Sequence, residues 1–371
     1  MSLLPADAAP STRPIAIWLL LVATLIFVMV VVGGLTRLTG SGLSIVEWRP
    51  LLGWLPPLSH AEWQEVFYQY RRYPEFRLVN PDMTLAGFKS IYWLEYIHRL
   101  LGRVIGLAFL IPFLFFVRMK PRRISRDLMP WLIALFVLGA LQGALGWYMV
   151  QSGLVDQPEV SHYRLAAHLG LAVLIYAFML RIGLSQLPPR PEDRVFPDYR
   201  GLRIYLRLIV GLIFVTIIAG ALVAGLNAGK IYNTFPLMGG RLVPEGLLTL
   251  DPPHLNFFDN RVTVQFQHRI LAIVTVLAVI SFWIRAQVAV LPGRVKAVCT
   301  VFVLVALAQF GLGIATLMML VPVSLAAAHQ AGAMLLLTAA IWALHALRPR
   351  VYASSKAGMV DTLPPGWRPA T

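Results

Sequence analysis

One cysteine, Cys299, stands in 371 residues. No intrachain disulfide and no cysteine-built metal site can come from it. Its place inside an apolar run suits a small buried hydrophobe. Acidic residues are scarce as well: 17 Asp and Glu face 32 Lys and Arg, a net charge of +15. In a soluble chain that excess would point to nucleic acid. Here the basic residues lie in short loops between apolar runs, so membrane topology accounts for them and no nucleic-acid partner is expected.

What the chain has in quantity is apolar surface. Hydrophobic residues make up 58% and mean hydropathy is +0.71, against roughly 45–50% apolar in soluble domains. A helix needs about 20 apolar residues to cross a bilayer. Eight such runs are present, near 15–35, 92–117, 129–150, 163–183, 204–225, 262–284, 297–320 and 323–347, the last two divided by a tight turn at Val321-Pro322. The run from Ile15 is too long for a signal-peptide core, and no small-x-small cleavage site closes it, so it reads as an uncleaved first span. Lys and Arg collect between spans two and three, four and five, six and seven, and in the tail after Arg348. With eight spans all four places share one side, which is the cytoplasm, and both termini lie there.

The sequence repeats once. Gly33 to Gly53 aligns without gaps on Gly220 to Gly240, Gln142-Gly-Ala-Leu-Gly146 matches Gln309-Phe-Gly-Leu-Gly313, and two His-Arg pairs, His98-Arg99 and His268-Arg269, each lie about one turn into an apolar run. The fold class expected is an all-α polytopic membrane protein with eight transmembrane helices. An even number of spans per unit makes the repeats parallel, two four-helix bundles about a pseudo-twofold axis along the membrane normal. The divisions are a tail over 1–14, a first repeat over 15–185, a linker over 186–203, a second repeat over 204–347 and a tail over 348–371. In the first outer loop, Ser59-His-Ala-Glu62 has the form of a capping box. Trp63, Val66, Phe67 and Tyr70 follow at helical spacing, which predicts a short amphipathic helix on the outer surface with its aromatics among the headgroups.

Each half also carries a second histidine, His168 in Ala-Ala-His-Leu and His329 in Ala-Ala-His-Gln. All four imidazoles fall one or two turns in from the outer face. A lone membrane histidine most often hydrogen-bonds a neighbouring helix, but four at matched depth and repeat-equivalent sites point to function. Two histidines per half on different helices can fill both axial positions of a heme iron, whereas zinc or copper calls for further close ligands. The residue four after each histidine is small: Gly102, Ala172, Ala272 and Ala333. That leaves clearance for a macrocycle, or serves ordinary close helix packing. Arg99 and Arg269 suit either heme propionates or lipid headgroups. His60, His162, His254 and His345 read as structural or solvated.

These elements carry a resemblance. Gly33-Gly-Leu-Thr-Arg-Leu-Thr-Gly-Ser-Gly-Leu-Ser44, Pro56-Pro57, Glu95-Tyr-Ile-His-Arg99 and the paired His-Arg and Ala-His motifs resemble the heme A synthase family, proteobacterial and mitochondrial branch, over about residues 15–347. Some members have a cysteine pair in the first outer loop; this chain has none. The resemblance implies an oxidoreductase of the bacterial inner membrane that serves cytochrome oxidase assembly. It would convert the C8 methyl of heme O to the formyl of heme A by two hydroxylations, through heme I, and loss of water. It implies a resident heme b on His268 and His329, with the iron of substrate heme O on His98 and His168. Lipid, the heme O synthase (a farnesyltransferase) and a second copy of the chain are the expected partners.

The resemblance also places an essential acid at Glu95, and the repeat sharpens its meaning, because the equivalent position is Gln265. A carboxylate found in the first half alone, three residues before His98 on one helix face, is a candidate proton acceptor. It could instead stabilise a cationic intermediate; the plainer alternative is a salt bridge to Arg99 or Arg103. Two other functions compete with the enzyme. A bis-histidine electron-transfer cytochrome explains the histidines but gives Glu95 no task. A transporter explains the repeats but lacks broken helices.

Overall fold

The structure, a computed structural model, describes residues 12–48, 53–119, 124–187 and 199–348. Most of the first tail over 1–14, most of the linker over 186–203, the tail after Arg348 and the basic cluster 120–123 lie outside the described residues. Among those described the chain is helical, and the one β contact is an isolated bridge between Met238 and Arg241. The described residues form nine α-helices: α1 (Arg13–Leu38), α2 (His60–Tyr70), α3 (Leu85–Arg118), α4 (Met129–Gln151), α5 (His162–Ser185), α6 (Arg200–Gly225), α7 (Arg261–Val288), α8 (Gly293–Met318) and α9 (Val323–Ala346). All but α2 are long and apolar enough to cross a membrane, and they match the eight expected spans. This is a multi-pass membrane protein.

Local chemistry sets the helix starts. Thr84 accepts from the Gly87 amide, Ser161 from Arg164, and Asn260 from Val262 and Thr263, each side chain serving an amide the first turn leaves open. Two ends are alike. Gly40 after α1 and Asn227 after α6 both take the left-handed conformation, φ +62° and +52°, which stops a helix at little cost for Gly or Asn. They are equivalent positions of the repeat.

The capping box of α2 is present: Ser59 Oγ accepts from Glu62 N, and Glu62 Oε2 accepts from Ser59 N. Amide donation from Leu58 and Ser59 holds the Glu62 carboxyl below its ordinary range. The aromatic face of α2 departs from expectation. Trp63 and Tyr70 are buried against Phe88, Tyr92 and Tyr96 instead of lying among headgroups. The reason is that α3 starts at Leu85, two turns before its apolar run, and these turns present aromatics of their own. Ring pairs Trp63–Tyr92 (4.9 Å) and Tyr70–Phe88 (5.1 Å) lock the two helices; such pairs add about 0.5–1.5 kcal/mol beyond burial.

The helices form an inner and an outer set. α1 packs on α3, α5 and α9, α5 also on α6 and α9, and α6 on α7 and α9. One apolar core, including Leu19, Val22, Met179, Ile213, Phe282 and Leu337, runs through both halves of the sequence. Hydrogen bonds join the inner helices α5 and α9 at Tyr176–Thr338 (2.6 Å), and α6 to α7 at Thr216–Thr275 (2.9 Å). The outer seams are unequal. α7 and α8 pack along much of their length, whereas α3 and α4 meet at only a few positions.

Candidate functional site

Each of the four histidines rests on a glycine of a neighbouring helix. His98 on α3 faces Gly33 of α1, where a Cβ would lie 2.9 Å from Nε2; His268 on α7 faces Gly220 of α6, with a Cβ 3.1 Å from Cε1. His168 on α5 faces Gly146 of α4, and His329 on α9 faces Gly313 of α8, where the Cβ would approach Cε1 to 2.9 and 2.8 Å. Gly33 is equivalent to Gly220 and Gly146 to Gly313, so one cradle is built twice in each half. No larger residue fits these four positions without moving an imidazole.

All four imidazoles are half-buried. His98 and His168 lie within electrostatic reach of each other, and so do His268 and His329. His268 Nδ1 is buried and makes no well-formed protein hydrogen bond, with the Thr216 main chain within reach of the ring. Among the described residues no three His, Cys, Asp or Glu side chains gather as a metal site. Paired imidazoles are a donor set that fits a heme iron.

Two glutamines hold the second histidine of each half. Gln142 Nε2 donates to the main-chain carbonyl of His168 (3.0 Å) and lies 3.1 Å from its Nδ1. Gln309 does the same for His329, at 2.9 and 3.1 Å. These residues and the cradle glycines Gly146 and Gly313 stood in the matched Gln-x-x-x-Gly segments; the repeat was the available signal, but it did not say what they touch. The small residue four after His98 has another use: Gly102 admits the Met29 methyl, which a Cβ would meet at 3.4 Å.

The arginines are engaged in a way sequence reasoning missed. Arg99 donates to the carbonyls of Ile45 (2.6 Å) and Glu47 (3.0 Å). Arg269 donates to those of Tyr232 and Thr234, both at 2.7 Å, which are the equivalent positions in the repeat. Each arginine clamps the loop after α1 or α6 onto the histidine helix. Glu95 completes the first clamp. It is buried; its Oε1 accepts from Arg99 Nε (3.0 Å) and Nη2 (2.7 Å), and its Oε2 from Ser44 Oγ (2.6 Å) and Ile45 N (2.8 Å). In the second clamp Gln265 Nε2 donates to the Tyr232 carbonyl at 2.9 Å. The acid takes the amide of one peptide position, and the amide side chain gives to the carbonyl of its equivalent. The remaining histidines are peripheral: His60 and His254 are exposed, and His162 Nε2 is 2.8 Å from Asp259.

Residues 16–341 match the cytochrome oxidase assembly protein family. The chain belongs to that family. Among its relatives, Heme A synthase of Nitrosospira multiformis is 52% identical over 91% of this chain and 94% of its own length. Heme A synthase of Nitrosomonas eutropha is 50% identical over 89% and 92%. Heme A synthase COX15 of Bos taurus is 43% identical over 93% and 84%. All four cradle histidines and Glu95 fall inside the span that matches the family.

Proposed function

We propose that this chain is a heme A synthase of the bacterial inner membrane, with both termini in the cytoplasm. It oxidises the C8 methyl of heme O to the formyl of heme A by two hydroxylations, through heme I, and dehydration. The observation that carries this reading is the doubled cradle, four imidazoles on four glycines, in a chain about half identical to heme A synthases over nearly its whole length.

The two halves divide the work. Residues 204–347 would hold heme b through His268 and His329; when bound, it would supply one-electron relay. Residues 15–185 hold heme O, with His98 and His168 toward its iron. Gly33, Gly146, Gly220 and Gly313 set where each ring stands, and Gln142 and Gln309 fix the second histidine of each half. Arg99 and Arg269 close the outer loops over the sites. Glu95 is the proton-accepting group of the reaction half. Its carboxylate is fixed by Arg99, by the Ile45 amide and by the Ser44 hydroxyl, which donates to it at 2.6 Å. The heme O synthase is the partner that supplies substrate, and a second copy of the chain is a further candidate partner.

The test is extraction and chromatography of the hemes formed when the full chain is produced in cells that make heme O but no heme A. Heme A is expected. Heme b with unaltered heme O would favour a plain electron-transfer cytochrome.

A further inference from the structure

At the boundary between the halves the repeat is broken at two positions, and they touch. His168 is followed by Leu169, but His329 by Gln330; Gly220 is followed by Ala221, but Gly33 by Gly34. Leu169 packs with Ala221, Leu222 and Val264 in a small apolar cluster where α5 meets α6. At the matching joint of α9 and α1, the Gln330 amide lies flat on Gly34, where a Cβ would overlap it. Gln330 Nε2 donates to the Val30 carbonyl at 2.8 Å.

Stability does not explain the polar joint. An amide hydrogen bond between membrane helices adds little over good apolar packing, and this chain makes the apolar version at the equivalent place. What the polar joint adds is a connection. Gln330 is bonded directly to the segment that carries His329. The carbonyl it holds belongs to the turn of α1 that ends at Gly33, and Gly33 is the seat of His98. Contacts of this kind can carry coupling between two sites when both bias the same element.

We propose that Gln330 is a positioning residue that couples the two heme sites. It registers the His329 turn of α9 against the Gly33–Gly34 turn of α1, and so fixes the seat of His98 relative to the heme of the second half. The inference rests on the heme reading given above.

The test uses the purified full chain with its heme b and added heme O. Two variants are compared with the parent: Gln330→Leu, and Gly34→Ala combined with Gln330→Leu. The double variant copies the α5–α6 joint, so packing is provided for. Heme b content and its low-spin resonance are expected to match the parent in both. The spectrum of heme O bound in the first half is expected to shift, although the change is made beside a ligand of the second. The kcat of conversion is expected to fall about tenfold, the size that coupling substitutions carry, with KM little changed. A purely structural Gln330 would move neither the heme O spectrum nor kcat in the double variant, and that result overturns the proposal. Loss of heme b from both variants overturns it too, since Gln330 would then belong to the heme b seat. A parent chain that holds no heme b defeats the reading of the second half itself, and the parent control separates that failure from these.

Discussion

Glu95 and Gln265 differ by one atom type and make opposite hydrogen bonds at equivalent loop positions. Glu95→Gln would give the first clamp the chemistry of the second. It leaves Arg99 without its carboxylate and puts an amide where both Ser44 Oγ and Ile45 N donate. The expected outcome is normal heme b with accumulation of heme O or heme I, read by chromatography of extracted hemes; heme A at the parent's rate would make Glu95 a loop anchor only. A second outcome concerns the cradles. Gly313→Val should displace His329 and deplete heme b, as should His268→Ala and His329→Ala, whereas Gly146→Val should spare heme b and weaken heme O binding. Pyridine hemochrome assay of the purified variants reads the first effect, and heme O titration the second. The histidines were legible in the sequence because they recur as a set. Their glycine seats were not, because a glycine ten or more residues away carries no mark of which ring it will face. The Arg99–Glu95 ion pair was legible as the plainer alternative; the carbonyls the arginines bind were not, because they belong to loop backbone, which has no signature in residue type.

At the scale of elements, α2 was legible as a helix from its capping box and its i, i+3, i+4, i+7 aromatics. Its neighbour was not, because an aromatic face suits headgroups and an aromatic-bearing helix equally. Ser59→Ala should cost this helix about 1 kcal/mol, the usual worth of a hydroxyl cap, seen as faster proteolysis of the segment between α1 and α3. The same module holds a buried acid. Glu75 is raised from its ordinary 4.5 to about 7, chiefly by burial; the Tyr70 hydroxyl opposes the shift and the Glu95 charge assists it. The folded loop therefore keeps a proton that the unfolded loop gives up between those values, so its stability falls as pH rises from about 4.5 to about 7. Protease resistance of the loop is expected to decline across that window in the parent and to stay level in Glu75→Gln. A parent that resists equally at both ends would show that Glu75 is ionised throughout.

For the whole molecule, the spans were legible because length and hydropathy suffice to mark them. Their arrangement was not: α1 packs on α9 from the far end of the chain, and apolar runs facing lipid on one side and protein on the other carry no label for their partners. Reporter fusions near Arg122 and Arg194, both outside the described residues, should read cytoplasm, and one near Arg72 the outside. An outside signal at Arg194 would break the even count of spans per repeat. The unequal outer seams bear on time as well as shape. If the two halves hold the hemes as proposed, a macrocycle between α7 and α8 must wait for helices to part before it can leave, whereas a prenylated ring beside the loose α3–α4 seam can slide out sideways. On that reading one half is built for residence and the other for turnover. Loaded with labelled tetrapyrroles and diluted into unlabelled micelles, the chain should shed heme O far faster than heme b, and tethering α3 to α4 by a short crosslink should bring the two rates together.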